Sequence, residues 1–149
     1  MLLGVAASMI ISLDIGASLT KGILVDENLR ISNKYVTPTE EPRATALMVI
    51  RYLLNMLGAS RKGTVTAVVV SGGGSKLIEN EILGLPIRQV DEIKAIGLGG
   101  LLLTGKNEGL IVSAGTGTAI VAAYNNGGII KHVGGTGVGG GTILSLIHI

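Results

Sequence analysis

Cysteine is absent from all 149 positions. That excludes a disulfide framework and any thiolate-held metal or cluster within this chain, and it makes an intracellular, cytoplasmic protein the economical expectation. Phenylalanine and tryptophan are absent as well, and aromatic residues make up only 2% of the chain. An apolar core must therefore be filled by aliphatic side chains, which the 47% hydrophobic content supplies. Charge is sparse at 15%, with a net charge of +2 and basic residues that are scattered. Without a stripe of Lys and Arg interleaved with aromatics, no nucleic-acid partner is expected. Residues 1–13 are uncharged but too short to span a bilayer, and no basic segment precedes them. Residues 109–130 are also uncharged, yet Gly-Thr-Gly-Thr and Asn-Asn-Gly-Gly break them into strand-sized, β-branched runs, so neither a membrane helix nor a membrane partner is expected.

What the chain has in quantity is glycine, 24 residues without a repeat, which marks turns and close packing. The richest stretch is residues 110–142. Apolar runs at 110–113 and 118–124 flank Gly115-Thr116-Gly117-Thr118, and a third run at 129–133 leads into a glycine cluster at 134–141. Backbone N–H groups in a Gly/Thr turn can form an anion-binding nest, and the hydroxyls add further hydrogen bonds. If Gly139-Gly140-Gly141 opens a helix, its N-terminus is a second place for phosphate. Together the two devices on one β-meander read as a nucleotide phosphate site. Taken alone, Gly-Thr-Gly-Thr is as well explained by a tight turn, and Asn125-Asn126-Gly127-Gly128 is most simply a hairpin turn. Neither cluster has dinucleotide-fold or P-loop spacing.

In chain order, residues 9–15 read as a buried strand ending at Asp14 and a glycine turn, residues 20–25 as the returning strand, and residues 29–37 as a third. A carboxylate at a strand tip can hold Mg²⁺ through water, or it can merely bond its own turn. Residues 42–57 place Ala46, Val49, Ile50, Leu53 and Leu57 on one stripe with Arg51 and Asn55 opposite, an amphipathic helix opened by Glu40-Glu41-Pro42 and closed at Gly58. Residues 64–70 form an apolar strand running into Ser71-Gly-Gly-Gly, 75–82 a short helix, 85–90 an extended piece, and 91–103 a glycine-interrupted helix capped by Asp91. The order is βββαβα, followed by a second meander.

Three glycine-linked elements now stand in a fixed order. Asp14-Ile-Gly-Ala-Ser-Leu-Thr-Lys21 is similar to the first phosphate loop of the actin/sugar-kinase/Hsp70 ATPase superfamily, and Gly115-Thr-Gly-Thr118 resembles its second. More narrowly, Val-Asp-Glu92-Ile, Gly-Thr-Gly-Thr118 and Val133-Gly-Gly-Thr-Gly-Val-Gly-Gly-Gly-Thr142 together resemble type II (eukaryotic-like) pantothenate kinases, across nearly all of residues 9–144. The resemblance implies an α/β fold: an actin-like ATPase (ribonuclease H-like) first domain over residues 9–108, and the opening meander of a second, truncated domain over 109–144. It implies ATP-dependent phosphorylation of pantothenate to 4'-phosphopantothenate, the first step of coenzyme A synthesis, with ATP and Mg²⁺ as cofactors and a homodimer at full length. Glu92 falls where the family has its catalytic base, although an acidic residue in a first helical turn also suits the macrodipole. Asp14 matches the Mg²⁺ position, and Gly16, Ser18 and Lys21 the phosphate loop around it. Gly115, Thr116, Gly117 and Thr118, with Gly140, Gly141 and Thr142, match nucleotide-contacting positions.

The chain departs from the family in places. His132, preceded by Lys131, stands where the family commonly has a substrate-contacting Arg, so these two are the substrate candidates. A neutral imidazole cannot make the bidentate contact of a guanidinium. Ala17 replaces a loop glycine. Met9 looks like a natural start, which makes residues 1–8 an upstream extension, and residues 145–149 read as a non-native tail on a fragment inactive by itself. Two alternatives remain within the superfamily, an ATPase activator of dehydratase-type enzymes and a non-catalytic nucleotide-binding module.

Overall fold

The computed structural model describes residues 8–58 and 63–147, the last four of these as backbone. The expected extension (residues 1–7 of it) and the end of the expected tail, with His148, lie outside the described residues. The chain forms two compact units that divide between Gln89 and Val90.

In the first unit, β1 (Met9–Ile15), β2 (Leu19–Asp26) and β3 (Ile31–Pro38) form an antiparallel meander. Then come α1 (Pro42–Met56), β4 (Val65–Ser71), a 3₁₀ turn at Gly73–Leu77, and the short strands β5 (Glu81–Ile82) and β6 (Leu85–Gln89). The sheet order is β3-β2-β1-β4-β6-β5, with β4 parallel to both β1 and β6. Alternation decides the faces. Met9, Ile11, Leu13 and Ile15 are buried, and the residues between them are only half-buried. The buried side lies under α1, whose Ala46, Val49, Ile50 and Leu53 are fully enclosed. The helix approaches so closely at Gly22 that an added Cβ would stand 2.5 Å from Val49 Cγ1. Pro42 opens α1, and Glu41 caps it by accepting from the Arg43 and Ala44 amides at 3.0 and 2.6 Å. Tyr52 of α1 stacks on Tyr35 of β3 with ring centroids 4.2 Å apart.

Two segments differ from the sequence reading. The third strand starts at Ile31 because Leu29 takes a left-handed φ of 60° in a turn where Asp26 Oδ1 accepts from the Asn28 and Arg30 amides. Residues 75–82 are not a short helix. They form the tail of a 3₁₀ turn and then β5, which pairs with β6 through Leu83-Gly84, both at positive φ as a two-residue hairpin turn of this type requires.

In the second unit, α2 (Glu92–Thr104) precedes the antiparallel meander β7 (Gly109–Ala114), β8 (Thr118–Tyr124) and β9 (Ile129–Thr136), and α3 (Gly140–Ile147) ends it. The sequence reading put the first of these helices with the first domain, ahead of a boundary at residues 108/109; by contact it belongs with the meander. Its Gly97 and Gly100 are the reason: they let the helix lie directly on Ile130 of β9 and Ile111 of β7. Val121 and Ala123 are buried on that side. On the other side Leu110 and Val112 are 65% and 61% exposed, and Tyr124 and Ile129 are exposed beside them. The turn Asn125–Gly127 joins β8 to β9 with both asparagines left-handed, as hairpin chemistry predicts. No helix among the described residues is long and apolar enough to cross a membrane.

Candidate functional site

The first candidate loop lies at the β1–β2 turn. Asp14 and Lys21 are register partners across the two strands and stand on the sheet face opposite α1. Lys21 Nζ donates to Asp14 Oδ2 at 2.9 Å, and the two side chains are 51% and 42% exposed. The turn between them is closed by the Gly16 amide on the Leu19 carbonyl at 3.0 Å, and the Ser18 carbonyl accepts from the Thr39 amide at 2.9 Å. Below the turn, the buried Thr20 hydroxyl meets that of Thr39 at 2.9 Å, which ties β2 to the segment entering α1.

A residue the sequence reading did not single out completes this end of the sheet. Ser71 is the register partner of Asp14 on β4, and Gly72 follows it with φ +85°. An added Cβ at Gly72 would fall 2.7 Å from Asp14 Oδ1 and 2.6 Å from the Ile15 carbonyl oxygen. Only glycine combines that φ with that approach. One carboxylate oxygen therefore meets an ammonium while the other faces a bare backbone turn. Gln89 braces the turn from β6, donating from Nε2 to the Ser75 carbonyl at 3.2 Å. The signal in the sequence was Ser71-Gly-Gly-Gly at the end of a strong strand.

The second candidate loop is held by backbone. The Gly115 amide donates to the Gly117 carbonyl at 2.7 Å, closing the turn between β7 and β8. The first residues of α3 then lock onto it, Gly140 N–H to the Gly115 carbonyl at 2.8 Å and Gly141 N–H to the Thr116 carbonyl at 3.2 Å. The Thr118 hydroxyl donates to the Val138 carbonyl at 2.8 Å, and the Thr142 hydroxyl accepts from the Gly139 amide at 3.3 Å. Gly139 makes the contact possible, since an added Cβ there would stand 2.7 and 2.8 Å from the Thr116 and Gly115 carbonyl oxygens. The glycine cluster does open a helix beside Gly115–Thr118. In this structure, however, the amides of Gly140 and Gly141 are engaged by the loop itself.

Glu92 is the first residue of α2 and is exposed. Capping is done by Asp91, whose Oδ1 accepts from the Lys94 amide at 3.0 Å. Among the described residues the Glu92 carboxylate makes no hydrogen bond or ion pair. Lys131 and His132 pair with Ala122 and Val121 and so stand on opposite faces of the meander. His132 shares its face with Ile130, the side on which α2 packs, and Lys131 points to the open side. The two are therefore not interchangeable substitutes for one arginine.

The structure thus brings Asp14, Gly16, Ser18 and Lys21 together in the first unit, and Gly115–Thr118 with Gly140–Thr142 in the second. No group of three or more Asp, Glu or His that could cage a metal occurs among the described residues.

No protein-family model matches the chain. A type II pantothenate kinase of Bacillus anthracis is 29% identical over 142 residues, covering 91% of this chain and 47% of that protein. The chain therefore spans about half the length of this curated relative. Among solved structures, the activator of the 2-hydroxyisocaproyl-CoA dehydratase from Clostridium difficile, with bound ADPNP, superposes with a TM-score of 0.71 at 18% identity, over 95% of this chain and 53% of the other. A ROK family glucokinase from Streptomyces griseus, in complex with glucose and AMPPNP, superposes with a TM-score of 0.55 at 19% identity, over 87% and 48%. With its strand-tip carboxylate and its two glycine loops placed on successive meanders, the chain has the actin-like ATPase fold.

Proposed function

We propose that this chain carries the phosphate-binding half of an ATP-dependent kinase that phosphorylates the primary hydroxyl of pantothenate, acting in the cytoplasm as a homodimer at full length. The observation that carries the reading is the Asp14–Lys21 pair beside the Gly72 turn. It offers an anionic ligand and a cation side by side, as a metal–phosphate complex needs. The likeness to the Bacillus anthracis kinase supplies the acceptor class.

Asp14 fits Mg²⁺, a hard cation that keeps several waters and takes one or two carboxylates plus substrate phosphates rather than a protein cage. Its carboxylate is half-exposed, and the Ser71 hydroxyl lies on the same face. Bound there, Mg²⁺ would neutralise charge on the phosphate oxygens. Lys21 supplies the fixed positive charge, and Gly16 and Ser18 shape the turn around the phosphates. Gly115–Thr118 is the second phosphate loop, and Gly140 and Gly141 reach nucleotide once their amides exchange the Gly115 and Thr116 carbonyls for phosphate oxygens, with Thr142 following them in the same helix start. Glu92, unpartnered at a helix start, is the base that orients and deprotonates the acceptor hydroxyl. His132 donates a single hydrogen bond to substrate, and Lys131, on the other face, does not join it.

The test is turnover beside nucleotide binding in the full-length protein. Glu92→Gln should lower turnover roughly a hundredfold, the usual scale for a lost general base, with nucleotide affinity near normal. Asp14→Asn should abolish metal-dependent nucleotide use with the fold retained. Normal turnover in Glu92→Gln would return Glu92 to a helix-start role. Nucleotide binding without pantothenate phosphorylation in the unsubstituted full-length protein would instead favour the second reading, a nucleotide-binding module or ATPase activator, for which the 0.71 superposition on the dehydratase activator speaks.

A further inference from the structure

Lys21 and Asp14 satisfy each other in the ligand-free chain, and their geometry says how. The ammonium sits on Oδ2 at 2.9 Å, held there by strand register, while Oδ1 faces the Gly72 backbone. A bare divalent cation arriving at this carboxylate must therefore displace or face a positive charge a few ångströms away. In water that repulsion alone weakens cation binding severalfold. A cation arriving with phosphates brings a new anionic partner for Lys21 and meets no such obstacle.

We propose that Lys21 is a place-holder for the metal: it keeps free divalent cations off Asp14 and admits them only as a metal–phosphate complex, when its ammonium moves from the carboxylate to phosphate. The inference rests on the reading of Asp14 as the metal-binding carboxylate. It explains why a lone half-exposed aspartate can serve a metal-dependent site without collecting free cations, and it makes Lys21 a selectivity residue as well as a phosphate contact. The Gly72 turn belongs to the same device, because a side chain there would push the carboxylate off its register partner.

The experiment titrates Mn²⁺ alone into the 149-residue chain and reads unbound Mn²⁺ by its electron paramagnetic resonance. Lys21→Met should bind Mn²⁺ roughly tenfold more tightly than the unsubstituted chain, from relief of the charge opposition. Lys21→Arg, which keeps the charge, should gain nothing, and Asp14→Asn added to Lys21→Met should remove the gain. Equal Mn²⁺ affinity in Lys21→Met and the unsubstituted chain would overturn the proposal, as would a gain that survives Asp14→Asn. Retention of radiolabelled ADP with Mn²⁺ in equilibrium dialysis separates the two ideas. If ADP is not retained but Lys21→Met still gains metal, the nucleotide reading and the exchange onto phosphate fail together, and only the exclusion of free cations from Asp14 stands. If ADP is retained in an Asp14-dependent manner and Lys21→Met gains nothing, the reverse holds.

Discussion

Strands β1–β3 and β7–β9 are both antiparallel meanders with a helix on one face, yet they are finished in different ways. The first is continued by β4 on its β1 edge and buries a large aliphatic cluster under α1. The second has no strand beyond β7 among the described residues, and it meets its helix through glycines rather than through long side chains. Their loops differ in kind as well. The turn after β1 is characterised by a side-chain ion pair, and the turn after β7 by amide-to-carbonyl bonds from α3. In the first, the ion pair can be exchanged by a charged ligand that offers both partners something better, while the backbone bonds that close the turn stay in place. A loop held by backbone is specified by where glycine permits approach, and it yields only when a whole helix start is displaced.

The comparison breaks first at the cores. Leu53→Ala should destabilise the first unit by about 2–5 kcal/mol, because Leu53 is wholly enclosed. Leu101→Ala, in the thinner packing of the second unit, should sit at or below the bottom of that range. Urea denaturation of the two variants measures the gap, and equal losses would mean that the meanders are equally well finished. A smaller effect separates the loops. Gly139→Ala should cost about 1–3 kcal/mol, because two carbonyl oxygens must give way. Gly73→Ala, with open space around the added carbon, should be near neutral. Faster hydrogen exchange at the Gly140 and Gly141 amides in the first variant alone is the confirming readout.

The smallest expected effect concerns Glu41, whose carboxyl is held below the ordinary glutamate range by the amides of Ala44 and then Arg43. A depressed carboxylate stabilises the fold above its unfolded value and loses that contribution as pH falls through the folded one. Acidification below the ordinary glutamate value should therefore loosen the start of α1 slightly. Glu41→Gln should flatten that slope, as read by circular dichroism against pH.

Much of this architecture was legible because local signals agreed with one another. Strand β1 alternates cleanly, Pro42 and Gly58 bracket α1, and Asp91 caps α2 as its position predicts. The glycine loops announced themselves by composition. What escaped is what depends on distant partners. The 3₁₀ turn at Gly73–Leu77 is braced by Gln89 from another strand, and Leu29 and Leu83 adopt left-handed turns that leucine does not advertise. Gly72 is part of the first site only because β4 ends in register with Asp14. The glycine run allowed a helix start at Gly140 without requiring one, and its engagement with the Gly115 and Thr116 carbonyls is a tertiary fact that no spacing reveals.

The stacked pair Tyr35 and Tyr52 has a practical corollary. With three tyrosines and no tryptophan in the chain, near-ultraviolet absorption and circular dichroism come from tyrosine alone. Two of the three rings lie in mutual contact between β3 and α1, and the third, Tyr124, stands apart at the end of β8. Exciton coupling between the first two reports on whether α1 is seated on its sheet, while the exposed Tyr124 contributes an ordinary solvated signal. The molecule thus carries a built-in optical label on its first unit. Loss of the coupled band ahead of the far-ultraviolet transition would reveal that the units melt separately, with no probe attached.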